Sequence, residues 1–171
     1  MRALEGFVAA ERGCLYYAAF AVVAISKRGV RAVLQVGTAS WRFKVAARDD
    51  DSGPTHYSYE FEPYHPLTVL CLAHGKLPEL HCWAAIPETG EFIDLTTRHL
   101  PELLRTELPG EEWSAPSPSA YFWGQVENLP EGWRYAADGA AIRIAFKFLR
   151  KGRPEIHEEL KARGLIPPEN W

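Results

Sequence analysis

Cys14, His81 and Asp94 are the side chains of this sequence whose types and surroundings could together make and break an acyl bond. Cys14 follows Gly13 and opens the apolar run "CLYYAAFAVVAI". A thiol on the first turn of a helix meets the partial positive charge of that terminus, and a protonated histidine beside it lowers its pKa further. His81 and Asp94 belong to "HCWAAIPETGEFIDLTTR", residues 81–98, where "PETG" separates two strand-like runs. Strand side chains alternate, so His81, Trp83 and Ala85 share one face and Phe92 and Asp94 share one face. Pairing His81 directly with Asp94 sets Ala85 opposite Gly90 and leaves Ile86 to Thr89 as the loop. A slip of two residues keeps the pair diagonal on that same face. In either register the carboxylate reaches the imidazole, fixes its tautomer and stabilises its charged form. An aspartate in so apolar a strand needs that partner, because an unpaired buried charge is costly. Cys71, inside an apolar run, and Cys82, on the strand face opposite His81, read as core thiols.

The stretch "GCLYYAAFAVVAISKRGVRAVLQVG", followed by "HCW" and "FIDLT", resembles the transglutaminase-like branch of the papain-like cysteine enzymes. In that family a cysteine opens a helix, a "GIPAR" element follows, and "HAW" and "DPT" supply histidine and aspartate from adjacent strands. The resemblance spans Gly13 to Thr96 and rests on the order and spacing of three short elements. Arg31, Val33 and Leu95 depart from the family's usual residues. The resemblance implies Cys14 as nucleophile, His81 as general base and acid, and Asp94 as the group that orients the imidazole. It implies an α+β fold of papain-like, transglutaminase-like architecture, a central helix packed on an antiparallel sheet, over residues 1–171 as a single domain. The expected chemistry is hydrolysis of a peptide, isopeptide or other amide bond through a Cys14 thioester, with transfer to an amine as the variant outcome. The chain is closer to minimal microbial peptidases and amidases than to the multidomain cross-linking enzymes. The Cys14 backbone N–H is the expected oxyanion donor, and no cofactor or metal is required.

Two other readings use different residues. Cys71, His74, His81 and Cys82 are of the types zinc prefers, although adjacent His81 and Cys82 point apart in a regular strand. Alternatively, the same fold without activity could bind a peptide, with Tyr57, Tyr59, Tyr64, Tyr121 and Trp123 lining a groove. His56, His65, His99 and His157 fall into no pattern that chemistry could use.

The elements that must position the site are legible in outline. Cys14 to Lys27 predicts a buried central helix stopped at Gly29, and "VRAVLQVGTASWRFKVAA" predicts one or two strands with a bulge or close backbone approach at Gly37. After the acidic turn "RDDDSGP", "THYSYEFEP" alternates as a strand and completes a hairpin. "PLTVLCLAHGKLPEL" is either helix or buried strand, and "GAAIRIAFKFLRK" is equally two-sided. "TTRHLPELL" predicts a helical turn or two, "LPGEEWSAPSPSAYFWG" a surface loop, and "PEIHEELKARG" a charged helix from Pro154 to Gly164.

Composition removes several classes of function. The 171 residues are 47% hydrophobic and 24% charged with a formal net charge of -3, which lacks the basic bias of nucleic-acid binders. "MRALEGFVAAERG" has no signal-peptide pattern, and the Cys14 to Ile25 run falls short of the roughly 20 residues of a membrane span. Three cysteines without secretory context disfavour a disulfide framework. A cytoplasmic enzyme acting on a peptide or protein amide, with neither nucleic acid nor membrane as partner, is the combined expectation.

Overall fold

A computed structural model describes residues 10–44, 55–116 and 118–166. The turn "RDDDSGP" and most of the N-terminal "MRALEGFVAAERG" lie outside them. The chain is α+β, with an antiparallel sheet and helices packed against it. In order, the elements are α1 (Ala10–Ser26), β1 (Val33–Arg42), β2 (His56–Tyr59), α2 (Pro66–Ala73), β3 (His81–Ile86), β4 (Glu91–Asp94), a 3-10 turn (Thr97–His99), α3 (Leu100–Glu107), β5 (Phe122–Gln125), a second 3-10 turn (Val126–Asn128), β6 (Arg134–Ala137), α4 (Gly139–Gly152) and α5 (Pro154–Ala162).

The sheet runs β2-β1-β3-β4-β5, with β6 also on β1. Gly37 to Ser40 of β1 pair with β6, while Gly37 also faces His81 of β3 and Ala39 also faces Tyr59 of β2. A strand has two edges, so β3 and β2 lie in tandem along the edge that β6 leaves free. His81 is the first residue of β3 and therefore stands where that edge passes from one neighbour to the next. The close approach expected at Gly37 is present: a Cβ there would overlap the Ala136 carbonyl oxygen of β6.

Two apolar layers sandwich the sheet. On one face Leu15, Val22, Leu34, Val36, Cys82, Ala84 and Ile93 pack with Ala141, Ala145 and Leu149 of α4 and Leu160 of α5. On the other, Ala39, Trp41, Phe43 and Tyr57 pack with Leu100 and Leu104 of α3 and with Trp133. Fully burying one such leucine or valine contributes about 1.5–3 kcal/mol, so α1 is held by its packing on β3 more than by helix propensity. Gly29, at φ 83, stops the chain after α1 as the sequence predicts.

Where the sequence left the state open, local physics decides it. Asp138 caps α4 by accepting from the Ala140 and Ala141 amides at 2.7 and 2.9 Å, and the buried Ala141, Ala145 and Leu149 follow the helical repeat. Pro66 at the first turn and the His65 cap make "PLTVLCLA" a helix. It is a surface helix, with Leu67, Val69 and Leu70 exposed and Cys71 half-buried, so Cys71 is not the core thiol the sequence predicts. The strand β2 ends at Tyr59, short of the full "THYSYEFEP" run. The predicted surface loop is also shorter: Phe122–Gln125 forms the sheet's edge strand, with Asp94 opposite Phe122. Beyond Pro118 the proline brake is gone, and Phe122 and Trp123 favour a pleated strand. Among the described residues, no helix is long and apolar enough to cross a membrane.

Candidate active site

The β3–β4 hairpin pairs Ala84 with Ile93, Ala85 with Phe92 and Ile86 with Glu91, closing Pro87 to Gly90 as the turn. This is the two-residue slip from direct pairing. Continuing it sets Asp94 beside Trp83 and diagonal to His81, on one face, and the imidazole Nε2–H donates to Asp94 Oδ2 at 2.8 Å. His81 is 2% and Asp94 1% exposed, so bulk water does not screen the pair.

Asp94 is held on all sides. Its Oδ1 accepts from the Thr96 amide at 2.9 Å and the Thr96 hydroxyl at 2.6 Å, the local turn that the "DLT" sequence makes. Its Oδ2 accepts a second bond, from the Tyr135 hydroxyl at 2.8 Å, and Tyr135 in turn accepts from Trp41 Nε1–H at 2.8 Å. Burial alone would raise the carboxyl pKa, but the His81 charge and the Thr96 bonds outweigh it and hold Asp94 below its ordinary value.

Aromatic rings fix the imidazole. Trp41 meets it edge-on at 4.8 Å and Tyr59 lies parallel to it at 5.9 Å. Its Nδ1 is buried with no partner in hydrogen-bonding geometry among the described residues. Burial opposes a charge on His81, but the Asp94 carboxylate and then Cys14 favour it more, and its pKa is pushed up to about 10. The unpaired Nδ1 is therefore the atom left to exchange a proton with whatever stands on that side.

Cys14 comes to this point from the other face of the sheet. Its Sγ lies 3.9 Å from the carbonyl oxygen of Leu80, the residue that leads into His81. From there it interacts with both the Cys82 thiol and the His81 imidazole. The hydrogen bond from Cys82 is the largest influence on it; burial opposes ionisation, the nearby His81 ring and its charge favour it, and the Cys14 pKa is held down to about 5. Burial and the Cys14 charge push the Cys82 thiol well above its ordinary value, so Cys82 stays the donor. These influences favour a Cys14 thiolate and a His81 imidazolium over the neutral pair at neutral pH. Removing the Cys82 donor should weaken this state. In Cys82→Ala, alkylation of Cys14 is expected to begin at higher pH than in the parent, read by peptide mass spectrometry across a pH series.

Two expectations about Cys14 change. Helix α1 starts at Ala10, so Cys14 is its fifth residue, beyond the first turn where the terminal charge is felt. The amide of a fifth helical residue has an intrahelical acceptor, so the Cys14 N–H is not the free oxyanion donor the sequence suggested. The low thiol pKa comes from Cys82 and His81 instead.

No family model, curated protein or solved structure matches the chain. The site thus stands on its own geometry.

The rival sites do not assemble. Cys71 sits on α2 and His74 caps its C-terminus, while His81 and Cys82 sit on β3, and His81 Nε2 is committed to Asp94. Among the described residues, no group of three or more His, Cys, Asp or Glu side chains could hold a metal ion. The five aromatics do not line one groove either. Tyr57 is buried and Tyr59 packs on Trp41 and His81, whereas Tyr64 is 91% exposed beside α2, and Tyr121 and Trp123 stand exposed at β5. Sequence reasoning missed Tyr135, Trp41, Thr96 and the contact between Cys82 and Cys14. Only Thr96 carried a local signal, as a threonine two residues after a buried aspartate.

Proposed function

We propose that this protein is a thiol-dependent acyl-group enzyme of papain-like, transglutaminase-like architecture that hydrolyses a peptide, isopeptide or other amide bond. The observation that carries the reading is the polarity of His81: Nε2–H is bound to Asp94, which leaves Nδ1 to exchange a proton with the Cys14 side, where the thiol pKa is lowered. The Cys14 sulfur adds to the amide carbonyl carbon. As the tetrahedral adduct collapses, the C–N bond breaks, His81 Nδ1 gives its proton to the departing amine, and a thioester remains. Neutral His81 then takes a proton from water as the water oxygen attacks the thioester carbon. The acid leaves and the thiolate and imidazolium are restored. An acceptor amine in place of water gives transamidation by the same steps.

The test is a panel of peptidyl and isopeptidyl aminocoumarin amides, read by fluorescence and by intact and peptide mass. The expected result is turnover with an acyl adduct on Cys14, both lost in Cys14→Ala. Turnover that survives Cys14→Ala, or a panel that neither turns over nor acylates Cys14, would contradict the proposal.

A further inference from the structure

Beyond the three residues of the proposed reaction, the fold brings a fourth to the same carboxylate. Asp94 Oδ2 accepts simultaneously from His81 Nε2–H and from the Tyr135 hydroxyl, each at 2.8 Å. Tyr135 comes from β6, which pairs with β1 and has no sequence proximity to the hairpin. Its hydroxyl cannot drift, because the indole N–H of fully buried Trp41 donates to it at 2.8 Å and thereby turns its own proton toward Asp94. Its ring packs on Trp83 at 5.2 Å and on Phe92 at 4.8 Å, the residues of β3 and β4 that lie between it and the rest of the hairpin.

Resting on the acyl-enzyme reading above, we infer that Tyr135 is a positioning residue of this site, whose phenol shares the Asp94 oxygen that holds His81 and so sets how tightly the imidazolium proton is held. Each donor to a carboxylate takes up part of its charge and leaves less for the others. Without such a competitor, Asp94 would grip the Nε2 proton harder and raise the basicity of Nδ1. A more basic imidazole surrenders its proton to a leaving amine less readily. Burial and the Asp94 charge hold the phenol in its protonated form, so Tyr135 acts as a donor throughout.

The experiment compares the parent with Tyr135→Phe and with 3-fluorotyrosine placed at position 135, using protein carrying nitrogen-15 histidine. The readout is the proton resonance of His81 Nε2–H at neutral pH, which needs no substrate. Tyr135→Phe removes the competing donor and is expected to move this resonance downfield, with kcat lowered about tenfold and KM unchanged. 3-Fluorotyrosine is a stronger donor and is expected to move it upfield. Opposite displacements distinguish tuning from packing, since a structural role predicts no ordered response to phenol acidity. If Tyr135→Phe fails to fold, the fluorinated protein decides alone: an unmoved or downfield resonance overturns the inference. Alkylation of Cys14 in the parent is scored separately. A slow Cys14 would refute the acyl-enzyme reading while leaving the Tyr135 measurement interpretable.

Discussion

Asp94→Asn is expected to keep the fold and lose acyl transfer by about 10⁴-fold, because it forces the wrong histidine tautomer. The Thr96 amide points at the Oδ1 position and is a donor that cannot reverse. The asparagine must therefore place its oxygen there and its NH2 where Oδ2 stood, facing His81 Nε2 and the Tyr135 hydroxyl. That NH2 donates to Nε2, and the ring proton moves to Nδ1. A neutral imidazole protonated at Nδ1 can neither accept a proton from the thiol nor stabilise a thiolate as a cation. Asp94→Ala goes further. It strips His81, Thr96 and Tyr135 of their common acceptor in a site 1% exposed, and the expected loss of stability is about 3–5 kcal/mol. Kinetics and denaturant titration of the two variants check the contrast: activity lost with near-parent stability in the first, stability lost in the second.

The second large effect concerns pH. Acyl transfer needs Cys14 ionised and His81 protonated together. The Cys14 pKa of about 5 sets the acidic limb, since below it the thiol regains its proton. The His81 pKa of about 10 sets the alkaline limb, since above it the imidazolium proton is gone. The rate is expected to rise through the first value, hold a broad plateau and fall through the second. His81→Ala removes both the proton donor and the cation beside the thiolate, with an expected loss of about 10²–10⁴ in kcat at neutral pH. Adding Cys14→Ala to His81→Ala should cost far less than the product of the single effects, because the residues act as one unit. Steady-state kinetics of the two single variants and the double variant across pH check this.

How much of the site was legible follows from how locally each part is encoded. The hairpin carries its own alternation and turn, so the shared face of His81 and Asp94 was readable, and both registers weighed for it kept the pair in contact. The helix bearing Cys14 was readable from its apolar run and from Gly29, but its first turn was not. Ala10 and Glu11 extend it before the apolar run begins. Alternation correctly sent Cys82 to the face opposite His81 and thereby hid its importance, because Cys14 arrives from that same face. Tyr135 and Trp41 lie on β6 and β1, and their convergence on Asp94 depends on strand pairing across long stretches of chain. No local pattern encodes such pairing. The state of α4 was hidden for a simpler reason: Ile142, Ile144, Phe146 and Phe148 satisfy a strand period, and the Asp138 cap resolves the choice.

The proposed acyl-enzyme chemistry stands on a thiolate and imidazolium pair between Cys14 and His81 in the resting protein. Its most direct test is iodoacetamide alkylation resolved by peptide mass spectrometry at Cys14, Cys71 and Cys82, in the parent and in His81→Ala, from about pH 5 to about pH 8. Cys14 is expected to react ahead of Cys71 and Cys82 well below pH 8, and that lead is expected to shrink in His81→Ala while the Cys82 donor preserves part of it. A Cys14 that reacts no faster than the other two, or that is indifferent to His81, would contradict this expectation.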